Sequence, residues 1–321
     1  MSKDFHCIVC GETCIDLPIK TVDRETPLSS QGTLLVESIV PGTGGIVPNG
    51  GIAMAKMGLR AAAFGCVGDD DWANMLESRL SDAGLNTDLV VRSDRRSTSV
   101  TAILVDNGGE HTFAFHPGAS ALFNAELVRH HIDVFERSEF ALFGYYGLFD
   151  EFAQELPTFL KHIQSLGCRT AMDAAASGGN LQPLDRILPF LDIYVPSLDE
   201  AKSQTGCSDP IQMIECFRQF APNSLLGIKL GAEGAVLSEG GSDELIQIPP
   251  VTPGSEVIDT TGAGDCFYAG LICGLVNGMS VRDAGRLAAA AGSCAVTEFG
   301  ATAGLPDFNT LCRMANISGT S

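Results

Sequence analysis

Residues 259–270 read Asp-Thr-Thr-Gly-Ala-Gly-Asp-Cys-Phe-Tyr-Ala-Gly, a run of small residues that ends in an acid and flows into an apolar stretch. A strand-loop-helix junction of this composition presents bare backbone N–H groups to an anion, with a phosphate sitting on the helix start. Gly262 and Gly264 let the backbone come close to a ligand, Ala263 lies between them, and the positive end of the helix dipole favours negative charge there. Asp265 would stand at the helix mouth as a general base. The plain alternative is a Gly-rich loop before a buried helix.

The rest of the composition narrows the partners. A formal net charge of −19 argues against nucleic acid or an anionic membrane, since both need a basic surface. Phosphate ligands would then depend on Mg²⁺ and backbone dipoles. Met1-Ser2-Lys3-Asp4 lacks a signal-peptide pattern and no long uncharged apolar run follows, so a cytoplasmic protein is expected. The 11 cysteines are an odd number and many lie in apolar runs, which reads as buried reduced thiols. Cys7 and Cys10, three apart in a strand, would point to opposite faces and hold no metal together. No H-E-x-x-H occurs, and His130 and His131 read as solvated side chains.

The elements that must position Asp265 alternate. Strand-like Phe5–Cys10, Ala61–Val67, Leu89–Val91, Glu139–Phe143, Arg169–Asp173 and Asp192–Val195 are interleaved with helix-like segments near Gly51–Met57, Asp71–Ala83, Ala125–Glu136 and Glu151–Ser165. Such alternation predicts a three-layer, doubly wound, mostly parallel α/β sheet in one domain over residues 1–321. Two insertions break it, at about 13–41 and 95–117. The second is a hairpin pattern, Ser97–Val105 and Glu110–Phe115, about an Asn107-Gly108 turn. Strands that no crossover helix can bring into a parallel sheet predict a separate small sheet. Their exposed edges lead to the expectation that the insertions pair between subunits of a homodimer.

Taken together, these strings resemble the ribokinase-like (PfkB) carbohydrate kinase family over about residues 5–307. Residues 259–270 are similar to its second signature, in which the acid matching Asp265 takes a proton from the sugar hydroxyl and the backbone matching Gly262-Ala263-Gly264 forms an anion hole. Gly44-Gly45-x-x-x-Asn49 resembles its first signature, which binds sugar hydroxyls through a Gly-Gly turn and an Asn at a helix start; Asn49 as a helix N-cap is the plain reading. Asp16 matches the family's sugar-binding acid. Ser197-x-x-Glu200 stands where the family has Asn-x-x-Glu beside Mg²⁺ and phosphate, and it also has the form of a capping box. Lys229-Leu230-Gly231-Ala232-Glu233-Gly234 resembles a nucleotide loop, or else a hairpin turn. Ala295–Ala301 resembles an adenine-lining segment that, with Asp259, implies a monovalent cation such as K⁺. Gly68-Asp69-Asp70-Asp71 reads as helix capping, and Ser120 replaces a usual Asn, a departure expected to alter contacts near the lid.

The resemblance implies an ATP- and Mg²⁺-dependent kinase acting on a primary hydroxyl of a small sugar, with the two insertions as a lid. No Lys follows Gly44-Gly45 to meet a sugar phosphate, which favours an unphosphorylated substrate: ribose-, fructose- or keto-deoxy-sugar-like. A nucleoside kinase stays open, since Phe113, Phe115 or Tyr145 could stack on a base. So does a non-catalytic sugar-binding regulator, although a pure binder would not need a base beside an anion hole.

Overall fold

In β1 (Phe5–Gly11), Cys7 and Val9 point to one side and Ile8 and Cys10 to the other, and all four are fully buried. A strand apolar on both faces must be covered on both, which is the condition for a parallel sheet between helical layers. It also separates Cys7 from Cys10, as expected. The computed structural model describes residues 3–20, 22, 33–106, 108, 111–145, 150–174, 181–242 and 244–317.

The chain continues through β2 (Cys14–Lys20), β3 (Ser38–Ile39), β4 (Gly42–Gly44), α1 (Ile46–Lys56), β5 (Ala61–Gly68), α2 (Asp71–Asp82) and β6 (Asn86–Ser93). Next come β7 (Ser99–Val105), β8 (His111–His116), α3 (Ala125–His130), α4 (Asp133–Glu136), β9 (Ser138–Gly144), α5 (Asp150–Ser165) and β10 (Arg169–Asp173). α6 (Leu181–Ile187), β11 (Ile193–Tyr194), α7 (Leu198–Thr205), α8 (Pro210–Arg218), β12 (Leu225–Lys229), β13 (Ala235–Ser238) and β14 (Ile246–Ile248) follow. α9 (Ala263–Val276), α10 (Val281–Ala295) and α11 (Phe308–Met314) close the described chain.

The main sheet runs β14-β13-β12-β11-β10-β9-β1-β5-β6, parallel from β12 to β6 and antiparallel at the β13 and β14 edge. Chain order reverses between β9 and β1, the place where open α/β sheets bind ligands beyond the strands' carboxyl ends. Ile46, Met54, Leu271 and Leu287 bury one face beneath α1, α9 and α10; Leu156, Leu160, Ile163 and Phe217 bury the other beneath α5 and α8. The three-layer, doubly wound expectation is met. All eleven cysteines are free thiols, nine of them buried. Among the described residues no helix is long and apolar enough to cross a membrane.

The insertions form the separate sheet expected of them, β3-β2-β7-β8, with β4 also on β2 and with β2 parallel to β7. Asn107 and Glu110 of the expected hairpin turn lie outside the described residues. From this sheet Pro18, Ile103, Val105 and His111 face Ile258, Asp259, Thr261 and Phe299 across a cleft, and the Lys20 ammonium sits over the Phe299 ring. The small sheet is therefore seated on the loop that enters α9.

Two expected boundaries differ. Helix α1 starts at Ile46 rather than near Gly51, because Gly45 takes a left-handed turn (φ 86) and Val47 N–H donates to Glu12 O at 3.1 Å. Asn49 is consequently inside the first turn and is not the N-cap. The expected helix over Ala125–Glu136 breaks at His131 (φ −113, ψ 24) into α3 and α4. Asp70 does cap α2, accepting from Ala73 N–H at 2.9 Å, and it also holds Thr98 N–H (2.8 Å) and Oγ1 (2.7 Å) at the entry to β7.

Glu12 sits at the joint between the two sheets, only 2% exposed, and neither of its carboxyl oxygens has a hydrogen-bond partner among the described residues. The nearby hydroxyls are committed elsewhere: Ser120 Oγ donates to Thr13 O (3.1 Å) and Ser99 Oγ to Pro117 O (2.6 Å). Ser120 thus ties the joint itself. Burial pushes the Glu12 carboxyl up to about 8 against the pull of the nearby Ser120, Cys14 and Ser99 side chains, with the Asp16 charge adding to the rise. An acid raised this way binds its proton more tightly folded than unfolded, so its contribution is present below the ordinary carboxylate range and is lost as pH rises through about 8. We expect Glu12→Gln to remove a pH-dependent loss of stability on the order of a few kcal/mol, seen as wild-type melting temperature falling more steeply than the variant's from about pH 5 to 8. Parallel curves for the two proteins would contradict this.

Candidate active site

Helix α9 is apolar all round, with Cys266 to Gly274 buried, so packing on every side fixes where its first turn points. Gly262 caps it in a left-handed conformation (φ 77), and the first helical bond runs from Cys266 N–H to Gly262 O at 2.9 Å. The amides ahead of Cys266 lie outside the helical ladder, the arrangement an anion requires. At Gly264 a Cβ would stand 3.0 Å from Lys229 Nζ, so this glycine lets an ammonium approach the backbone.

Asp265, in that first turn and 3% exposed, accepts from Asn49 Nδ2 at 2.9 Å (Oδ2) and from the Tyr145 hydroxyl at 3.1 Å (Oδ2) and 3.3 Å (Oδ1). Burial pushes its carboxyl up to about 6; Asn49, Lys229 and Tyr145 pull it down, and Glu200 raises it. A carboxylate poised there is mostly ionised at neutral pH, yet is a far better proton acceptor than a solvated one.

Beside it lies an ion pair. Lys229 Nζ is 3.1 Å from Asp173 Oδ1 and 3.3 Å from Oδ2, with side chains only 12% and 5% exposed. Burial alone would lower the lysine, but Asp173 and Glu200 hold it above its ordinary value and keep it charged. Burial likewise raises Asp173, against the pull of Lys229. Lys229 N–H donates to Pro196 O (2.8 Å), which docks β12 against the start of α7. There Ser197 and Glu200 form a complete capping box: Ser197 N–H donates to Glu200 Oε2 at 2.7 Å and Glu200 N–H to Ser197 Oγ at 3.4 Å. The capping-box form of this motif is therefore built, while the buried Glu200 charge also acts on Asp173, Lys229 and Asp265.

Among the other expected residues, Asp16 lies in β2 against the Gly44 backbone, with Cys14 Sγ 3.6 Å from its Oδ1. Burial pushes Asp16 up to about 6. At Gly45 a Cβ would collide with the Glu12 carbonyl at 2.5 Å. Asp259 joins two loop ends, accepting from Thr261 N–H (2.9 Å) and Gly300 N–H (3.3 Å). Gly231 and Gly234 bound a short 3₁₀ turn between antiparallel β12 and β13, with Gly231 exposed, so the hairpin-turn reading describes their backbone. A groove of about 410 Å³ along Pro249–Thr252, Arg286 and Met314–Asn316 shares no residue with this cluster.

Sequence reading assigned no role to Asp173 and no part at the base to Tyr145. The signal for Asp173 was present: an acid ends the strand Arg169–Asp173, buried from Thr170 on, at the carboxyl end of a parallel strand. Glu12, Tyr145, Asp173 and Lys229 all lie at that edge of the sheet.

Three buried carboxylates facing one ammonium leave excess negative charge, which suits a cation brought by a phosphate ligand. Among the described residues no set of three His, Cys, Asp or Glu side chains is arranged to hold a metal directly. Residues of this chemistry would suit Mg²⁺ that keeps several of its waters, and Glu200 and Asp173 are the buried carboxylates that would bind it through them.

Over residues 4–307 the chain matches the model of the pfkB family of carbohydrate kinases. An uncharacterized sugar kinase of Archaeoglobus fulgidus is 26% identical over 79% of this chain and 98% of its own length. The ribokinase of Haemophilus influenzae is 25% identical over 82% of this chain and 84% of its own. Among solved structures, Arabidopsis thaliana ribokinase complexed with ribose and ATP superposes with a TM-score of 0.86 at 21% identity, covering 99% of this chain and all of that one. A putative ribokinase II from E. coli in complex with ATP and Mg²⁺ gives 0.82 at 20% identity, over 98% and 99% of the two chains. The chain, in which a buried acid stands at a Gly-Ala-Gly helix mouth, belongs to the pfkB family of carbohydrate kinases.

Proposed function

We propose that this sugar kinase transfers the γ-phosphoryl group of ATP to a primary hydroxyl of a small unphosphorylated sugar, with Asp265 as the base. The observation that carries the reading is the Asp265 carboxylate, buried at the α9 mouth, held by two donors and raised to about 6. Relatives named ribokinase, fructokinase and 2-dehydro-3-deoxygluconokinase span the substrate classes proposed. Asp16 and the Gly44-Gly45 turn bind sugar hydroxyls, and Asn49 serves both the sugar and the base. The Gly262-Ala263-Gly264 amides hold the transferring phosphoryl group. Ser197, Lys229, Gly231 and Gly234 attend the nucleotide, Lys229 through its charge. Mg²⁺ bound with ATP, through water on Glu200, would neutralise phosphate charge. A K⁺ ion beside Asp259 belongs to the same reading and rests on family resemblance.

Ile39 on β3 with Val40 just after it and, on β8, Phe113 and Phe115 are exposed apolar residues at the small sheet, and they support its pairing in a homodimer. Light scattering is expected to give twice the 33.7 kDa chain mass, and a monomer at all concentrations would contradict the pairing.

ADP release on mixing Mg-ATP with a panel of pentoses, hexoses, keto-deoxy acids and nucleosides tests the function directly. Asp265→Asn should lower turnover by roughly 10²–10⁴-fold while sugar and ATP still bind. Wild-type turnover should rise with pH through about 6, because the ionised carboxylate is the active form. In the same assay Asp16→Ala should raise the KM for sugar and leave that for ATP unchanged. Near-wild-type turnover in Asp265→Asn would overturn the catalytic assignment and favour a sugar-binding regulator.

A further inference from the structure

At the end of β9 the chain turns through Gly144 and Tyr145, and Tyr145 does so with φ 64, a left-handed backbone that bulky side chains rarely adopt. The residue is held there from two directions. Its N–H donates to Asp173 O at 3.0 Å, and its hydroxyl reaches Asp265. Ahead of it only glycine fits, since a Cβ on Gly144 would stand 2.5 Å from the Ile46 side chain. A strained non-glycine residue persists only where its surroundings over-determine it, and such residues gather at functional sites.

A base must present its oxygen to the attacking hydroxyl at about 2.6–3.2 Å. The Tyr145 hydroxyl, 3.1 Å from Asp265 Oδ2, stands at that distance, so it occupies a place that the oxygen of a sugar hydroxyl or of a water would take. We propose that Tyr145 is a positioning residue that guards the base: without sugar its hydroxyl excludes water from Asp265, and the reacting sugar hydroxyl displaces it. The inference rests on the kinase reading above and adds selectivity against water. With the base uncovered, a water oxygen would bond to the γ-phosphorus as the bond to the ADP oxygen breaks, and the water's proton would pass to Asp265, leaving ADP and phosphate. Tyr145 is itself a poor competitor for the phosphoryl group, because burial and the Asp265 and Asp173 charges hold its phenol well above its ordinary range.

The test is ADP release from Mg-ATP with no sugar present. Tyr145→Phe keeps the ring and removes the hydroxyl, and its sugar-free rate should rise by at least about tenfold. Adding Asp265→Asn to that variant should return the rate to background. The acid limb of the Tyr145→Phe pH profile should also move to higher pH, since the lost hydrogen bond pulls Asp265 down while Lys229, Glu200 and Asp173, the other charged groups facing it, remain. Tyr145→Asn, which tolerates the left-handed backbone and is too short to reach Asp265, should behave as Tyr145→Phe does and guards against a folding defect in either. Unchanged sugar-free rates in both single variants, or an increase that survives loss of the Asp265 carboxylate, would overturn the proposal. Wild-type ADP release with the sugar panel reads the kinase assignment separately: release there with unchanged sugar-free rates in both variants would overturn the guarding role alone.

Discussion

Desolvation of the Asp265 carboxylate is the interaction on which the rest of the structure depends. An acid this deep in a protein would protonate and lose its use as a base unless donors and a counter-charge held it ionisable. Asn49 and Tyr145 supply the donors, and Lys229 the counter-charge. Lys229 in turn needs Asp173, since a buried ammonium without a partner would lose its proton. Each of these groups is present because another one is.

The fold supplies this cluster by converging strand ends from several βα units on one helix mouth. β9 brings Tyr145, β10 brings Asp173 and β12 brings Lys229, while α1 brings Asn49. α9 is located by close contact with α10, where Gly270 and Gly274 pack on the backbones of Ala288 and Ala284. The small sheet lies against the loop entering α9, so its strands and the Gly262-Ala263-Gly264 turn share an interface. Glu12, beneath the joint between the sheets, is a buried carboxyl that burial holds well above the ordinary carboxylate range.

Much of this was legible before any coordinates. Asp259–Gly270 carries its chemistry in local sequence, because glycine dihedrals and a helix start are short-range properties. The parallel sheet was legible because burial on two faces makes apolar runs, and the small sheet because Ser97–Val105 and its partner could not join by a crossover helix. Tyr145 was legible only as an aromatic that could stack on a base, since nothing in Phe143-Gly144-Tyr145 announces a left-handed backbone held by Asp173 and Asp265, residues distant in sequence. Asp173 looked like an ordinary strand end, and its meaning came only when Lys229 arrived from β12. Asn49 was recognised, but its place inside α1 depends on the Gly45 turn and the Glu12 carbonyl, a tertiary contact. The break at His131 has no Gly or Pro to mark it.

The most direct measurement is a carbon-13 NMR titration of the aspartate carboxyls in the intact protein, with Asp265 assigned by the resonance missing from Asp265→Asn. An inflection at about 6 is expected. An inflection in the ordinary range near about 4 would mean a solvated carboxylate, and would contradict the claim that burial makes Asp265 the base.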